Sequence, residues 1–181
     1  DHQAVQLDAS LSTEELRREI KKLSEDASVT GVLLFSPIPE PFDYNALGSA
    51  IPFHKDVEMI FPGGFYPPTA AAIWELIRDS GLDLRGKKIV LVGQSPRIGN
   101  PLMDILMNHL QDTGYVITSL NKYGPQDFFR QSIREADVVI TATGVRHLIT
   151  GEDLKEGAFI IDAGEPYPDV EFDTAKERAA A

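Results

Sequence analysis

The chain has 181 residues, enough for one good core or for two small lobes. Apolar residues make up 43% and charged residues 25%, an ordinary globular composition, and no stretch approaches the roughly 20 apolar residues that span a bilayer. Zero cysteines exclude disulfides and thiolate metal sites, and a formal net charge of −11 speaks against a nucleic-acid or anionic-membrane surface.

The N-terminus, Asp1-His2-Gln3, has no signal-peptide character, and a cytoplasmic protein is expected. Ser12-Thr13-Glu14-Glu15 reads as a capping box, followed by one helical face of Leu16, Ile20 and Leu23. The short apolar run Val29 to Phe35 predicts a buried parallel strand, ended by the proline-rich Ser36 to Pro41. Tyr44 to Ile51 predicts a short helix, and His54 to Pro68 a loop rich in Pro and Gly. A helix over Ala70 to Asp79 turns Ile73, Leu76 and Ile77 inward and stops at Gly81.

From residue 85 strands and helices alternate cleanly. Strand Ile89–Val92 leads to helix Pro101–Leu110, with Leu102, Ile105, Leu106 and Leu110 on one face. Strand Tyr115–Ser119, helix Gln126–Arg134 and strand Asp137–Thr141 follow. A short helix near Glu152–Leu154 then precedes strand Ala158–Asp162. This pattern predicts an α/β protein: a Rossmann-like domain with a parallel sheet at 82–165, beside a smaller, partial α/β lobe at 1–68. Residues 69–81 form a bridging helix and 166–181 a C-terminal tail. Ligands in such sheets bind beyond the carboxyl ends of the strands.

The segment Val92-Gly93-Gln94-Ser95-Pro96-Arg97-Ile98-Gly99-Asn100-Pro101 stands at such an end. A strand that breaks at a glycine and re-forms as a helix delivers backbone N–H groups and a positive helix end to one point, which suits a pyrophosphate. The spacing Gly93-x-Ser95-x-x-x-Gly99 departs from G-x-G-x-x-G, and a glycine after a strand is equally a plain turn. Ser95 adds a hydroxyl donor, and Arg97 adds a cation that serves either a phosphate or the solvent. The next strand ends in Ser119-Leu120-Asn121-Lys122, with no acid and one cation, which leans towards NADP over NAD. Thr141-Ala142-Thr143-Gly144 and Asp162-Ala163-Gly164 close later strands with small residues that admit a ligand or simply turn. His54, His109 and His147 have no metal-ligand spacing, so no metal site is expected.

Taken in order, these segments resemble the bifunctional methylenetetrahydrofolate dehydrogenase/methenyltetrahydrofolate cyclohydrolase family. Val32 to Pro39 looks like its strand ending in Gln-Leu-Pro-Leu-Pro, and Lys55-Asp56-Val57-Glu58 like its Lys-Asp-Val-Asp-Gly. Pro67-Pro68-Thr69 stands for Pro-Cys-Thr-Pro. Val92 to Pro101 is similar to Val-Gly-Arg-Ser-x-x-Val-Gly-x-Pro, and Ile149 to Gly164 completes the run. The resemblance implies two α/β lobes around a cleft, a homodimer, oxidation of 5,10-methylenetetrahydrofolate with NADP or NAD, and hydrolysis of the methenyl product. It implies that Gly93, Gln94 and Ser95 hold cofactor phosphate or ribose. The backbone around Gly144 and Glu165 would stand beside the nicotinamide, and Glu58 would bind the pterin.

Departures accompany the matches. The family's catalytic lysine lies in Tyr-x-x-x-Lys, and no tyrosine here (44, 66, 115, 123 or 167) has a lysine four residues later, so the catalytic residue is unassigned. Phe35 replaces a glutamine amide, Glu58 is one methylene longer than the family's Asp, and Met59 replaces its glycine. The loop to Pro68 is short, and the family's closing Pro-Gly-Gly-Val-Gly segment has no counterpart before Ala181. An incomplete version of a longer enzyme, a divergent paralogue that binds a dinucleotide without turnover, and a dehydrogenase for another small substrate each fit this pattern.

Overall fold

The computed structural model describes residues 2–59, 66–111 and 114–180. The chain divides into two compact units, Asp1–Pro68 and Thr69–Ala181.

In the first unit, α1 (Thr13–Glu25) begins at the expected capping box. Ser12 accepts from the Glu15 N–H, and the Glu15 carboxylate accepts from the Ser12 N–H at 2.8 Å. Leu16 and Ile20 of α1 meet Leu47 of α2 (Tyr44–Gly48) and Ile51 in a small core. The strand expected over Val29–Phe35 does not form. Among the described residues it is a single parallel bridge between Val32 and Asp56. Among the described residues only Lys55 to Val57 pairs with it (Val32 N–H to the Lys55 carbonyl, 2.7 Å), and no ladder extends from there. Val32 and Leu34 pack on the core while Leu33 and Phe35 point to solvent, so the apolar run has one covered face instead of two. The expected loop at 54–68 lies partly outside the described residues, and α3 (Pro68–Asp79) starts at its last position.

The second unit is built on four parallel strands: β1 (Lys88–Val92), β2 (Val116–Leu120), β3 (Val138–Thr141) and β4 (Phe159–Asp162). They run in the order β2-β1-β3-β4. Alternation decides the layers. Ile89 and Leu91 of β1, with Val138 and Ile140 of β3, face α3 and α4 (Gly99–His109). Val90, Val92 and Val139 face α5 (Gln126–Glu135) through Phe129 and Ile133. Both faces of β1 and β3 are therefore covered, which is why they read as unbroken apolar runs.

Four details differ from the sequence expectation. Leu76 is 59% exposed: Ala70, Ile73 and Ile77 set the buried stripe of α3, and at 100° per residue Leu76 falls beside it. Helix α4 begins at Gly99, two residues early, because Pro101 is tolerated within a first turn. The segment after 165 does not trail. It forms α6 (Phe172–Ala175) and is tied back by bridges Ile149–Val170 and Ala158–Ala179, with Val170 and Ala175 buried beside Leu154. The short helix near 152 is a 3-10 turn, Gly151–Asp153, whose Gly151 N–H donates to Thr174 Oγ1 at 2.9 Å.

At the amino end of the sheet, Asp137 accepts from Lys155 Nζ at 2.5 Å and from the Lys88 N–H at 2.9 Å. The Lys155 ammonium, then the Lys88 amide, hold this carboxyl below its ordinary range. A carboxylate lowered in the folded state contributes stability above its unfolded pKa and loses it as pH falls through the folded value. Asp137→Asn is therefore expected to lower stability by about 1 kcal/mol at neutral pH, with the difference closing in acid, below the ordinary carboxylate range. Urea unfolding of both proteins at the two pH values checks this.

Candidate functional site

The strand order places the chain reversal between β1 and β3: the chain leaves β1 for β2 on one side, then crosses to β3 on the other. The loops after β1 and β3 meet there, at the carboxyl ends of the strands, which is where sheets of this kind bind ligands. Gly93, directly after β1, has φ +115°, and a Cβ on it would lie 2.7 Å from the Ala142 carbonyl oxygen after β3. Only glycine lets these two backbones approach at the switch point. Gly99, the first residue of α4, packs against the Gly93 carbonyl with no room for a side chain.

Ser95 and Gln94 hold the turn between these glycines. Ser95 Oγ accepts from the Ile98 N–H at 3.1 Å, and its carbonyl accepts from the Asn100 N–H at 3.0 Å. No side chain caps α4 at Ile98. Gln94 Nε2 donates to Ser119 Oγ and Gln94 Oε1 accepts from Asn121 Nδ2, both at 3.1 Å, which ties the turn to the end of β2. Arg97 is half-buried in the same turn. Lys122 places its ammonium 5.3 Å from the Tyr123 ring centroid.

The loop after β3 is set by a residue that sequence reasoning missed. Asp169 is fully buried, and its carboxylate accepts from Thr141 Oγ1 (2.5 Å), the Thr143 N–H (2.6 Å) and the Val145 N–H (2.9 Å). These bonds shape residues 141–145 and bring Gly144, at φ +68°, against the Glu165 carbonyl. Gly144 and Glu165 thus meet through their backbones. Among 28 acidic residues, an isolated Asp in Pro168-Asp169-Val170 gives no sequence signal.

Glu58 belongs to the first unit. Its carboxylate accepts from the Tyr44 hydroxyl at 2.9 Å, and that hydroxyl also lies 3.1 Å from the Leu34 carbonyl. Buried Asp56 accepts from the Glu58 N–H at 3.1 Å and so fixes the backbone beneath it. Met59, standing where the family pattern has glycine, adopts φ +52°. Lys55 donates to the Asp26 carbonyl at 2.7 Å, a structural contact. His109 stacks on Trp74 at 4.7 Å between centroids, which gives that histidine a packing role.

A doubly wound parallel sheet with a glycine-mediated close approach at its switch point defines the second unit as a Rossmann-type α/β domain. The family model for the tetrahydrofolate dehydrogenase/cyclohydrolase NAD(P)-binding domain matches residues 67–181, and that for the catalytic domain of the same family matches residues 1–58. The chain belongs to the tetrahydrofolate dehydrogenase/cyclohydrolase family. It is 32% identical to the chicken mitochondrial bifunctional methylenetetrahydrofolate dehydrogenase/cyclohydrolase, over 95% of this chain and 59% of that protein. A silkworm 5,10-methylenetetrahydrofolate dehydrogenase is similar in structure, with TM-score 0.86, 30% identity, and coverage of 96% of this chain and 67% of that one. The Trypanosoma brucei dehydrogenase-cyclohydrolase, solved with NADP and an inhibitor, gives TM-score 0.84 and 29% identity over 95% of this chain and 65% of that one. The chain spans about three fifths to two thirds of the length of these relatives. Among the described residues no helix is long and apolar enough to cross a membrane.

Proposed function

We propose that the chain binds a nicotinamide dinucleotide at the turn after β1 and takes part in NADP-dependent oxidation of 5,10-methylenetetrahydrofolate. The observation that carries this reading is the Gly93–Ala142 approach at the switch point, flanked by Ser95 and the uncapped start of α4. The residues fit a dinucleotide: Gly93 and Gly99 let the chain turn tightly, since a Cβ on either would strike backbone, and this sets the start of α4 at the carboxyl end of β1. The Gly93 to Gly99 turn, with Ser95 and Arg97, would hold the phosphates, and Gln94 the ribose. The backbone of Gly144 and Glu165 would stand beside the nicotinamide, which when bound accepts the hydride. NADP is favoured over NAD by Lys122 at the end of β2 and by the NADP bound in the T. brucei relative.

On the substrate side Glu58, held by Tyr44, would anchor the pterin ring through its carboxylate. The protein's own contribution is position and electrostatics. Methenyl hydrolysis is part of the family's chemistry, and its proton-transfer group is not assigned to any residue of this chain. The net charge of −11 disfavours nucleic-acid and anionic-membrane partners, and the homodimer and the cytoplasm are carried over from the family resemblance. Phe35, 76% exposed where the family pattern has an amide, favours a second reading: dehydrogenation of a more apolar small substrate.

The test is to mix the chain with methylenetetrahydrofolate and NADP and follow nicotinamide reduction. Turnover that falls at least about tenfold in Glu58→Gln, mainly through KM, supports the folate reading. Saturable NADP binding without turnover supports the non-catalytic paralogue instead, and turnover only with other hydride donors supports the Phe35 reading.

A further inference from the structure

The second unit carries a cavity of about 300 Å³ at the amino end of β1, the opposite end of that strand from the turn at Gly93. Its floor is apolar: Ile77 of α3, Leu84 in the turn before β1 and Leu110 after α4 are all buried. Trp74, Arg78 and Arg85 stand around that floor. Helix α3 ends at Asp79, and Gly81, at φ +70°, turns the chain back so that Leu84 packs in the same core as Ile77. His109 stacks on the Trp74 ring with centroids 4.7 Å apart, which holds the indole in place.

The polar side chains that line it have donors to spare. The Trp74 indole N–H has no acceptor among the described residues. Arg85 gives Asp83 its Nε hydrogen and one from Nη2 (2.9 and 2.6 Å), so Nη1 keeps both of its own. Arg78 spends Nη2 on Glu75. The one lining acid, Asp83, is already engaged: the Arg85 side chain, then the Arg85 amide, hold its carboxyl down at about 2, so it stays ionised and occupied at neutral pH. We propose that this cavity binds a small aromatic carboxylate, its ring on Ile77, Leu84 and Leu110 and its oxygens accepting from the Trp74 indole and Arg85 Nη1. An apolar floor beside unspent donors selects a ligand with a flat apolar body and acceptor oxygens at one edge. The volume stands at the small end of ligand sites, which limits the occupant to one or two rings. Arg78 and Arg85 are exposed, so solvent screens their long-range field and directed bonds carry the selectivity. No lining residue belongs to the turn after β1, and the inference stands apart from the dinucleotide reading.

Trp74 is the chain's one tryptophan, so its indole N–H gives a single NMR signal that reports on the cavity. The experiment titrates benzoate, and separately benzyl alcohol, into the full chain and its Arg85→Gln and Asp83→Asn variants, with thermal melts to verify folding. Benzoate is expected to move the wild-type signal saturably, with a dissociation constant of about 1 mM or below. Benzyl alcohol, which keeps the ring and loses the charge, is expected to bind at least about fivefold more weakly. Arg85→Gln is expected to weaken benzoate at least about fivefold, and Asp83→Asn, which releases the guanidinium fork, to tighten it about threefold. An indole signal that benzoate does not move at about 20 mM overturns the site. Benzyl alcohol that binds as well as benzoate, or a benzoate affinity that neither variant changes, overturns the assignment of a carboxylate ligand.

Discussion

Gly93→Val is expected to weaken dinucleotide binding at least about 100-fold and to lower the stability of the second unit by roughly 3 kcal/mol. Two costs combine at this position. A β-branched residue is strained at φ +115°, and its Cβ would meet the Ala142 carbonyl at 2.7 Å, a backbone atom held by the Ala142 N–H bond to the Val92 carbonyl. Relief requires the β1 and β3 loops to part, which displaces Gly99 and the start of α4 with them. Urea unfolding and calorimetric titration measure the two effects separately. Ser95→Ala is the milder control. It removes the acceptor for the Ile98 N–H and the turn's one hydroxyl, so binding falls about tenfold with about 1 kcal/mol of stability. A Gly93→Val protein that binds and unfolds like the wild type would remove the turn from the site.

Asp169→Ala is expected to be the most destabilising polar substitution in the second unit, at roughly 3–5 kcal/mol. The carboxylate is fully buried and serves three donors from residues 141–145, so deletion strands the Thr141 hydroxyl and the Thr143 amide and leaves the Val145 amide only its 3.2 Å bond to Thr143 Oγ1. A stranded buried donor loses its water without gaining a partner, and each such loss costs about 1–3 kcal/mol. Asp169→Asn keeps the shape and both acceptor directions in part, but turns one N–H pair towards donors. It is expected to lose about half as much. Chemical denaturation of the three proteins orders them wild type, Asn, Ala. A loss below about 1 kcal/mol for the alanine variant would show that the loop after β3 is fixed by other contacts.

The second unit was legible from its sequence because its periods are physical. β1 and β3 are covered on both faces and read as apolar runs, and Leu102, Ile105 and Leu106 repeat at helical spacing because one face of α4 is buried. What escaped depends on contacts between distant segments. Val29 to Phe35 has the composition of a strand, yet a ladder needs a partner, and among the described residues only Lys55 to Val57 supplies one. The segment from Pro166 onward lacks periodicity, and it is ordered by bridges to residues 149 and 158 that no local pattern announces. Asp169 acts through bonds to donors more than 20 residues away in sequence, so its role is a property of the fold alone. At the site, the glycines were visible as punctuation. The Gln94–Ser119–Asn121 array was not, because three ordinary polar residues gain meaning only when the strand order brings them together.

The most direct test is backbone amide NMR of the isotope-labelled chain during titration with NADP. Saturable shifts largest at the amides of Gly93, Ser95, Ile98 and Gly99, with a second group at Thr143 to Val145, are the predicted result. Absence of saturable shifts at those amides in a folded chain, or saturable shifts confined to other surfaces, would contradict the assignment of the turn after β1 as a dinucleotide site.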